Sequence, residues 1–502
     1  MSKPIWEPSS ERIERANISR FMRFVREQTG NDDIRRYAPL HDFSVRHPDR
    51  FWQLVWEFCG IRASGTFHEV LVSATPLNEA RWFPGIRLNF AQNLLRFKDD
   101  RTAIIHRDRS GASREYSYAE LQQQVARVAA ALRRHGLQAG DRVAGWLPDS
   151  PESLFAMLAT TSIGAIWSLC RPGADIDATV GRLIDIAPRI LITSAAALGE
   201  SPATTLAAIR PLPALERIVV VGDCNVLANE RAPSPVMSWE AFLQGEEKPL
   251  VFEPMPFDHP LYLVPATDAL GRGMHLVHGA GGTLIQHLKE LVLHADLKRE
   301  DKIHFDTGGD PTTWHWLASA LAVGATLVMV DGQPHRADPR SLWNLVDDLG
   351  ITVLVTDAAW LQSCVDAGLR PGESHKLLSL KTVLSMGSTL AAPLCEYVYT
   401  AVKDRLMVSA CSGGTDLLSS IALGCPVLPV FCGEHQCRGL GLKWDTFDSM
   451  GKSVRDGDGD VALLGPFPSM PLGFWNDIDG QRYAETFCHD TRAAGAVASA
   501  RA

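Results

Sequence analysis

Residues able to do chemistry collect at a few places in this chain. Ser385-Met386-Gly387-Ser388 follows the apolar run 380–385, and Cys411-Ser412-Gly413-Gly414-Thr415-Asp416 follows the run 406–410. Asp331-Gly332 and Asp357 close two further runs in the same way. Small and acidic residues at the trailing ends of strands suit a ligand crevice, because open α/β sheets bind ligands beyond the carboxyl ends of their strands. A second stretch, Gly279-Ala280-Gly281-Gly282-Thr283, stands ahead of a helical pattern, where free backbone N–H groups could face a phosphate or carboxylate. Leu284 occupies the place where a dinucleotide fingerprint needs glycine, and no Gly-Lys-Ser/Thr follows. These glycines taken alone therefore favour the competing reading, a turn that packs a helix against a sheet. Cys425, Cys432, His435 and Cys437 bring thiols and an imidazole close together, but their spacing fits no zinc pattern and no metal is expected there.

These residues need elements to hold them, and the chain alternates two periodicities. Ser117 and Glu120 have capping-box spacing ahead of a helix carrying Leu121, Val125, Val128 and Leu132, which Gly136 should stop. Strands are expected at 143–147, 164–169, 189–193 and 217–222, with a helix starting at Ser150-Pro151. The segment 223–260 collects prolines and reads as a connection with a short helix. The rhythm resumes with strands at 261–264, 325–330, 351–356, 380–385 and 406–410, and with a helix showing Leu284, Leu288, Leu291 and Val292 on one face. Alternation of this kind predicts an α/β fold, parallel sheets covered by helices. Four units are expected: an N-terminal extension over 1–100, an α/β core over 101–432, a small β subdomain over 433–487 and a disordered tail over 488–502. In the extension Ile18, Phe21, Met22 and Val25 form one apolar helical face that ends at Gly30, and a run of tryptophans and phenylalanines follows.

With 502 residues, 46% of them hydrophobic, the chain can bury a large core. A net charge of -9 without a basic stripe argues against nucleic acid as a partner. No apolar span long enough for a bilayer and no signal core are present, so a soluble cytoplasmic protein is expected, with its ten scattered cysteines as reduced thiols.

Several of these stretches together resemble the acetoacetyl-CoA synthetases, within the adenylate-forming acyl-CoA synthetases. The resemblance is carried by Trp82-Phe83-Pro84-Gly85, 162–168, Asp258-His259-Pro260-Leu261-Tyr262, 277–284, Gln436-Cys437-Arg438-Gly439-Leu440-Gly441 and 467–477, besides the Gly387 and Gly413 strand ends, and it runs to about Tyr483. It implies the large N-terminal domain of adenylate-forming enzymes, which activate a carboxylic acid with ATP and Mg2+ and pass the acyl group to coenzyme A. By resemblance Gly387, Ser388, Gly413 and Gly414 flank the adenine, Thr415 contacts phosphate, and Asp416 takes the acidic position associated with Mg2+, a hard cation that prefers oxygen ligands.

The chain departs from that pattern in three places. Where the family has a Ser/Thr/Gly-rich phosphate loop ending in Pro-Lys, residues 265–274 read P-A-T-D-A-L-G-R-G-M, which leaves only Thr267 and Gly271 as binding candidates and adds Asp268. The family's Gly-Trp-Met-Met element is replaced by Gly309-Asp310-Pro311-Thr312-Thr313. The chain also ends where the family continues into a mobile C-terminal domain, so that domain is expected to be absent or supplied by a protein partner. These departures lead to an expectation of a catalytically impaired relative that retains a nucleotide- or acyl-binding crevice. The alternatives are an active acetoacetate–CoA ligase, with CoA as co-substrate, and a scaffold that binds nothing.

Overall fold

The computed structural model describes all residues except 1–2, 75–76, 174, 223–234, 308–309, 415, 449, 456, 458 and 488–502. The expected disordered tail and Thr415 therefore lie outside the described residues. Two large sheets dominate. One has eight strands in the spatial order Val236–Ser238, Arg217–Val221, Ile190–Ser194, Arg142–Trp146, Ile166–Cys170, Pro260–Thr267, Gly273–Gly279 and Gly473–Phe474. Its first six strands run parallel, and the last two pair antiparallel. The other has seven, in the order Met407–Ala410, Thr382–Ser385, Val353–Thr356, Lys302–Phe305, Thr326–Val330, Thr102–Arg107 and Ser113–Ser117, parallel but for the final pair.

Local signals set many of the element ends. Ser117 Oγ accepts from the Glu120 N–H at 3.1 Å while Glu120 Oε2 accepts from the Ser117 N–H at 2.7 Å, which starts the helix Tyr118–Arg134. The helix Asn17–Thr29 buries Ile18, Phe21, Met22 and Val25 and ends at Gly30, whose φ of 68° is left-handed. That face docks into the main core, which also takes in Phe51, Trp52 and Phe83, so the N-terminal segment shares the interior of the two-sheet body.

Two expectations are corrected. The helix Ala280–Lys289 has every residue buried, not one face, and continues as a π-helical turn over Glu290–His294. A helix enclosed on all sides lies inside the layers, and any charge on it needs an internal partner. The cysteines are not all reduced: Cys395 and Cys432, 37 residues apart, form a disulfide because the end of one helix packs against the loop after Val430. The strands after residue 433 are spread over three sheets. Cys437–Arg438 pairs with Ser419–Leu423, Trp444–Phe447 with Asp460–Leu463, and Gly473–Phe474 completes the eight-stranded sheet. Gly473–Phe474 takes an edge of a large sheet, while Trp444–Phe447 and Asp460–Leu463 form a two-stranded sheet of their own.

Candidate functional site

The two sheets meet at the carboxyl ends of their strands. Asp149, just past Arg142–Trp146, is paired with Arg171 and accepts from Thr307 Oγ1 at 3.0 Å, so a loop of one sheet is tied to a loop of the other. Beside it His335 lies 2.9 Å from Asp306, and Arg336 lies 2.7 Å from Asp357. This is the crevice that the polar strand ends called for, closed at its edge by ion pairs.

A cavity of about 310 Å³ opens among these ends. Gly387, Gly413 and Gly414 are in its wall, as the strand pattern required. A methyl group on Gly413 would sit 2.1 Å from the Ser419 carbonyl oxygen, so only glycine lets Ser412–Gly414 pair with the neighbouring strand. Gly387, with φ of 80°, turns the chain where a side chain's first carbon would meet none of the described residues within 4 Å. The replaced segment also lines the wall: Asp310 caps the helix Pro311–Ala318 by accepting from the N–H groups of Thr312 (3.1 Å) and Thr313 (2.8 Å). Ser388 and Asp416 neighbour the wall in sequence without forming it. Burial alone raises the Asp416 carboxyl above its ordinary range.

The floor holds a charge pair that the motif reading missed. Glu290 is buried with Lys289 at 3.3 Å and accepts from Trp316 Nε1 (3.0 Å), Ser419 Oγ (2.6 Å) and the Ser420 N–H (3.2 Å). Burial opposes both charges, but Lys289 and the Ser419 hydroxyl keep the Glu290 carboxyl below its usual range, while burial lowers Lys289. The available signal was two adjacent charges in a helix that also carries Gln286 and His287 among its apolar residues, which a buried helix can hold only as a satisfied network.

The other candidate residues are elsewhere. Thr267 and Gly271 belong to the hairpin between Pro260–Thr267 and Gly273–Gly279, outside this cavity wall. In its turn Asp268 Oδ1 accepts from the N–H groups of Leu270 and Arg272, each at 2.9 Å, and Oδ2 pairs with the Arg272 guanidinium at 2.6 Å. The remaining turn N–H groups are also occupied: Asp268 donates to Arg272 O, Gly271 to Asp268 O and Ala269 to Thr486 Oγ1. Met274 is buried with Leu276, Phe474, Tyr483 and Phe487.

The glycines at 279–282 do not make an anion site. The N–H groups of Ala280 and Gly281 donate to His259 O and Phe257 O, at 2.9 and 2.7 Å. A methyl group on Gly281 would strike the Phe257 ring at 2.3 Å, and one on Gly282 the Pro468 carbonyl at 1.9 Å. Close packing requires these glycines, and the packing-turn reading holds.

Two sheets that share a crevice at their carboxyl ends, with glycine-lined strand ends and an acidic residue beside them, define a nucleotide-binding α/β enzyme fold. The chain belongs to the AMP-binding enzyme family, whose model matches residues 90–264 and 305–423, and residues 37–94 match the acetyl-coenzyme A synthetase N-terminus. Its relatives within that family include acetoacetyl-CoA synthetases. It is 36% identical over 499 residues to the acetoacetyl-CoA synthetase of Rattus norvegicus, covering 96% of this chain and 74% of that protein. With the acetoacetyl-coenzyme A synthetase of Rhizobium meliloti (strain 1021) it shares 37% over 492 residues, covering 97% and 75%. Its structure matches the acetoacetyl-CoA synthetase from Streptomyces lividans with a TM-score of 0.89 at 32% identity, over 99% of this chain and 78% of that one. Among the described residues no helix is long and apolar enough to cross a membrane.

Proposed function

We propose that this chain is an acetoacetyl-CoA synthetase-like cytoplasmic protein that holds a nucleotide and a short acyl group at the Gly387–Gly413 cavity but adenylates its acid weakly or not at all. One observation carries the reading: every backbone N–H from Asp268 to Arg272 already has a partner within the protein. A phosphate-cradling loop must offer such groups to its ligand, and this one directs two of them onto its own carboxylate. The lysine expected by resemblance is replaced by a core methionine, so no ammonium offsets a triphosphate there. Charge-assisted contacts are worth about 1.5–3 kcal/mol each, so losing two lowers binding by roughly two to four orders of magnitude.

The residues that remain suit the smaller ligand parts. Gly387, Gly413 and Gly414 leave room for a flat base, and by resemblance Thr415 would contact phosphate. Asp416 would hold Mg2+, since burial desolvates its carboxyl with no compensating charge among the described residues, and a hard cation supplies one. The assembled glycine wall also favours a second reading, an active acetoacetate–CoA ligase that uses ATP, Mg2+ and CoA.

Acid-dependent pyrophosphate–ATP exchange with acetoacetate separates the two. Exchange near background together with measurable AMP binding is expected. Robust exchange would establish the active ligase, and no nucleotide binding at millimolar concentration would leave only a scaffold.

A further inference from the structure

The polar half of the cavity of about 310 Å³ is lined by Glu290, Asp310, Thr312, Thr313, Ser419 and Ser420. Most of the polar atoms there are already engaged. Glu290 Oε1 takes the Lys289 ammonium, the Gln286 amide, the Ser419 hydroxyl and the Ser420 N–H, while Oε2 accepts from Trp316 Nε1. Asp310 Oδ2 accepts from both the N–H and the hydroxyl of Thr313, at 2.8 and 2.7 Å. Thr312 differs. Its N–H donates to Asp310 Oδ1 at 3.1 Å, but its hydroxyl oxygen is cut off from solvent and has no hydrogen-bond partner among the described residues.

A hydroxyl in that state has given up its bonds to water and received none in return, a loss that a ligand can restore. The charges decide what kind of group restores it. Among the described residues the wall holds no lysine, arginine or histidine, and the Lys289 ammonium behind it is spent on Glu290, so Asp310 is the unbalanced charge. A carboxylate oxygen has two acceptor sites, and Asp310 Oδ1 uses one of them, for the Thr312 N–H. The corner therefore offers acceptors: a lone pair on Asp310 and those of the Thr312 hydroxyl. A keto oxygen placed there has a single O–H to accept from and lies against a carboxylate, whereas an N–H or O–H group finds partners. Both residues stand in the segment where the resembled family carries its Gly-Trp-Met-Met element.

We propose that the short acid held in this cavity carries a hydrogen-bond donor on its chain, an amino or hydroxyl group, and that Thr312 with Asp310 selects it over the keto group of acetoacetate. The inference rests on the reading that the cavity takes a short acid, and it holds whether or not that acid is adenylated. Thr312 Oγ1 receives the donor's hydrogen, and Asp310 Oδ1 takes a second one where the group has it. An ammonium adds attraction to the Asp310 charge, and a hydroxyl does not.

The test uses acids that differ only at the third carbon: butyrate, acetoacetate, 3-hydroxybutyrate and 3-aminobutyrate, each titrated into the full chain by ligand-observed NMR with and without AMP. The hydroxy or the amino acid should bind about tenfold more tightly than butyrate and acetoacetate, the worth of one hydrogen bond. Thr312→Val, which keeps the side-chain shape, should cut that preference to about twofold or less, and Thr312→Ser, which keeps the hydroxyl, should retain it. Asp310→Asn still caps the helix and separates the two donors, because it should weaken the amino acid more than the hydroxy acid. Equal binding of all the acids, a preference for acetoacetate, or a preference that survives Thr312→Val would overturn this proposal alone. Failure of every acid to bind would overturn it together with the acyl reading. The ranking is also read without AMP, so a chain that binds no AMP loses the nucleotide reading while the acids still decide this one.

Discussion

Ser419 donates through its hydroxyl to Glu290 Oε1 across 2.6 Å, joining residues 129 apart in sequence at the base of the cavity. Gln286 Nε2 donates to the same hydroxyl, and Lys289 stands 3.3 Å from the same carboxylate oxygen. The site is therefore built on a buried network whose charge balance depends on one carboxylate.

Glu290→Gln should remove that balance and leave the Lys289 ammonium buried without a counter-charge. Breaking one partner of a buried ion pair costs about 3–5 kcal/mol. Urea unfolding should show the midpoint falling accordingly. A midpoint within error of the parent would mean that Lys289 is neutral in the folded chain.

The two wall glycines should fail for different reasons. Gly413→Ala forces a methyl group against the Ser419 carbonyl, and overpacking of this kind costs about 1–3 kcal/mol. Gly387→Ala meets no atom but places alanine at φ of 80°, which costs about 1–2 kcal/mol. AMP binding measured by calorimetry should be lost in the first. In the second it should survive, with a lower Tm.

Acid should destabilise the fold through buried histidines. His287 is wholly buried, and desolvation lowers its imidazole to about 4; His315 is lowered in the same way to about 3. In the unfolded chain an imidazole takes its proton near pH 6.5. Between about pH 6.5 and 4 the unfolded state therefore binds the extra proton, and stability declines as pH falls through that window. Below about 4 the His287 contribution levels off, after a loss of about 3 kcal/mol. Urea midpoints measured from pH 8 to pH 4 should be flat above 7 and then decline, and a flat line to pH 4 would contradict the burial.

The hairpin turn offers a gain-of-binding test. Replacing Asp268 by Gly frees the N–H groups of Leu270 and Arg272 and removes a negative charge. ATP affinity should rise by about tenfold, roughly one charge-assisted contact, while AMP affinity stays unchanged. A rise for both nucleotides would place the effect outside the phosphate region.

Replacing Asp416 by Ala should abolish Mg2+-dependent strengthening of nucleotide binding without moving the Tm downward, because the carboxyl is raised by burial and has no charge partner among the described residues to lose. Titration of AMP with and without Mg2+ checks this. An unchanged Mg2+ effect would remove Asp416 from the cation site.

What the residues determined alone were the properties that local periodicity and capping control. The alternation of strands with amphipathic helices, the Ser117–Glu120 start, the Gly30 stop and the glycine-bearing strand ends at Gly387 and Gly413 all follow from interactions within a few residues. Tertiary structure decided whatever depends on which surfaces meet. It set Gly281 and Gly282 against Phe257 and Pro468 rather than around an anion, and it drew Cys395 to Cys432. It also enclosed Glu290 with Ser419 and tied the turn at Ala269 to Thr486. Hydrogen bonds and packing between segments distant in the chain leave no period in the sequence, so the charge balance of the cavity became legible only once the sheets had closed on it.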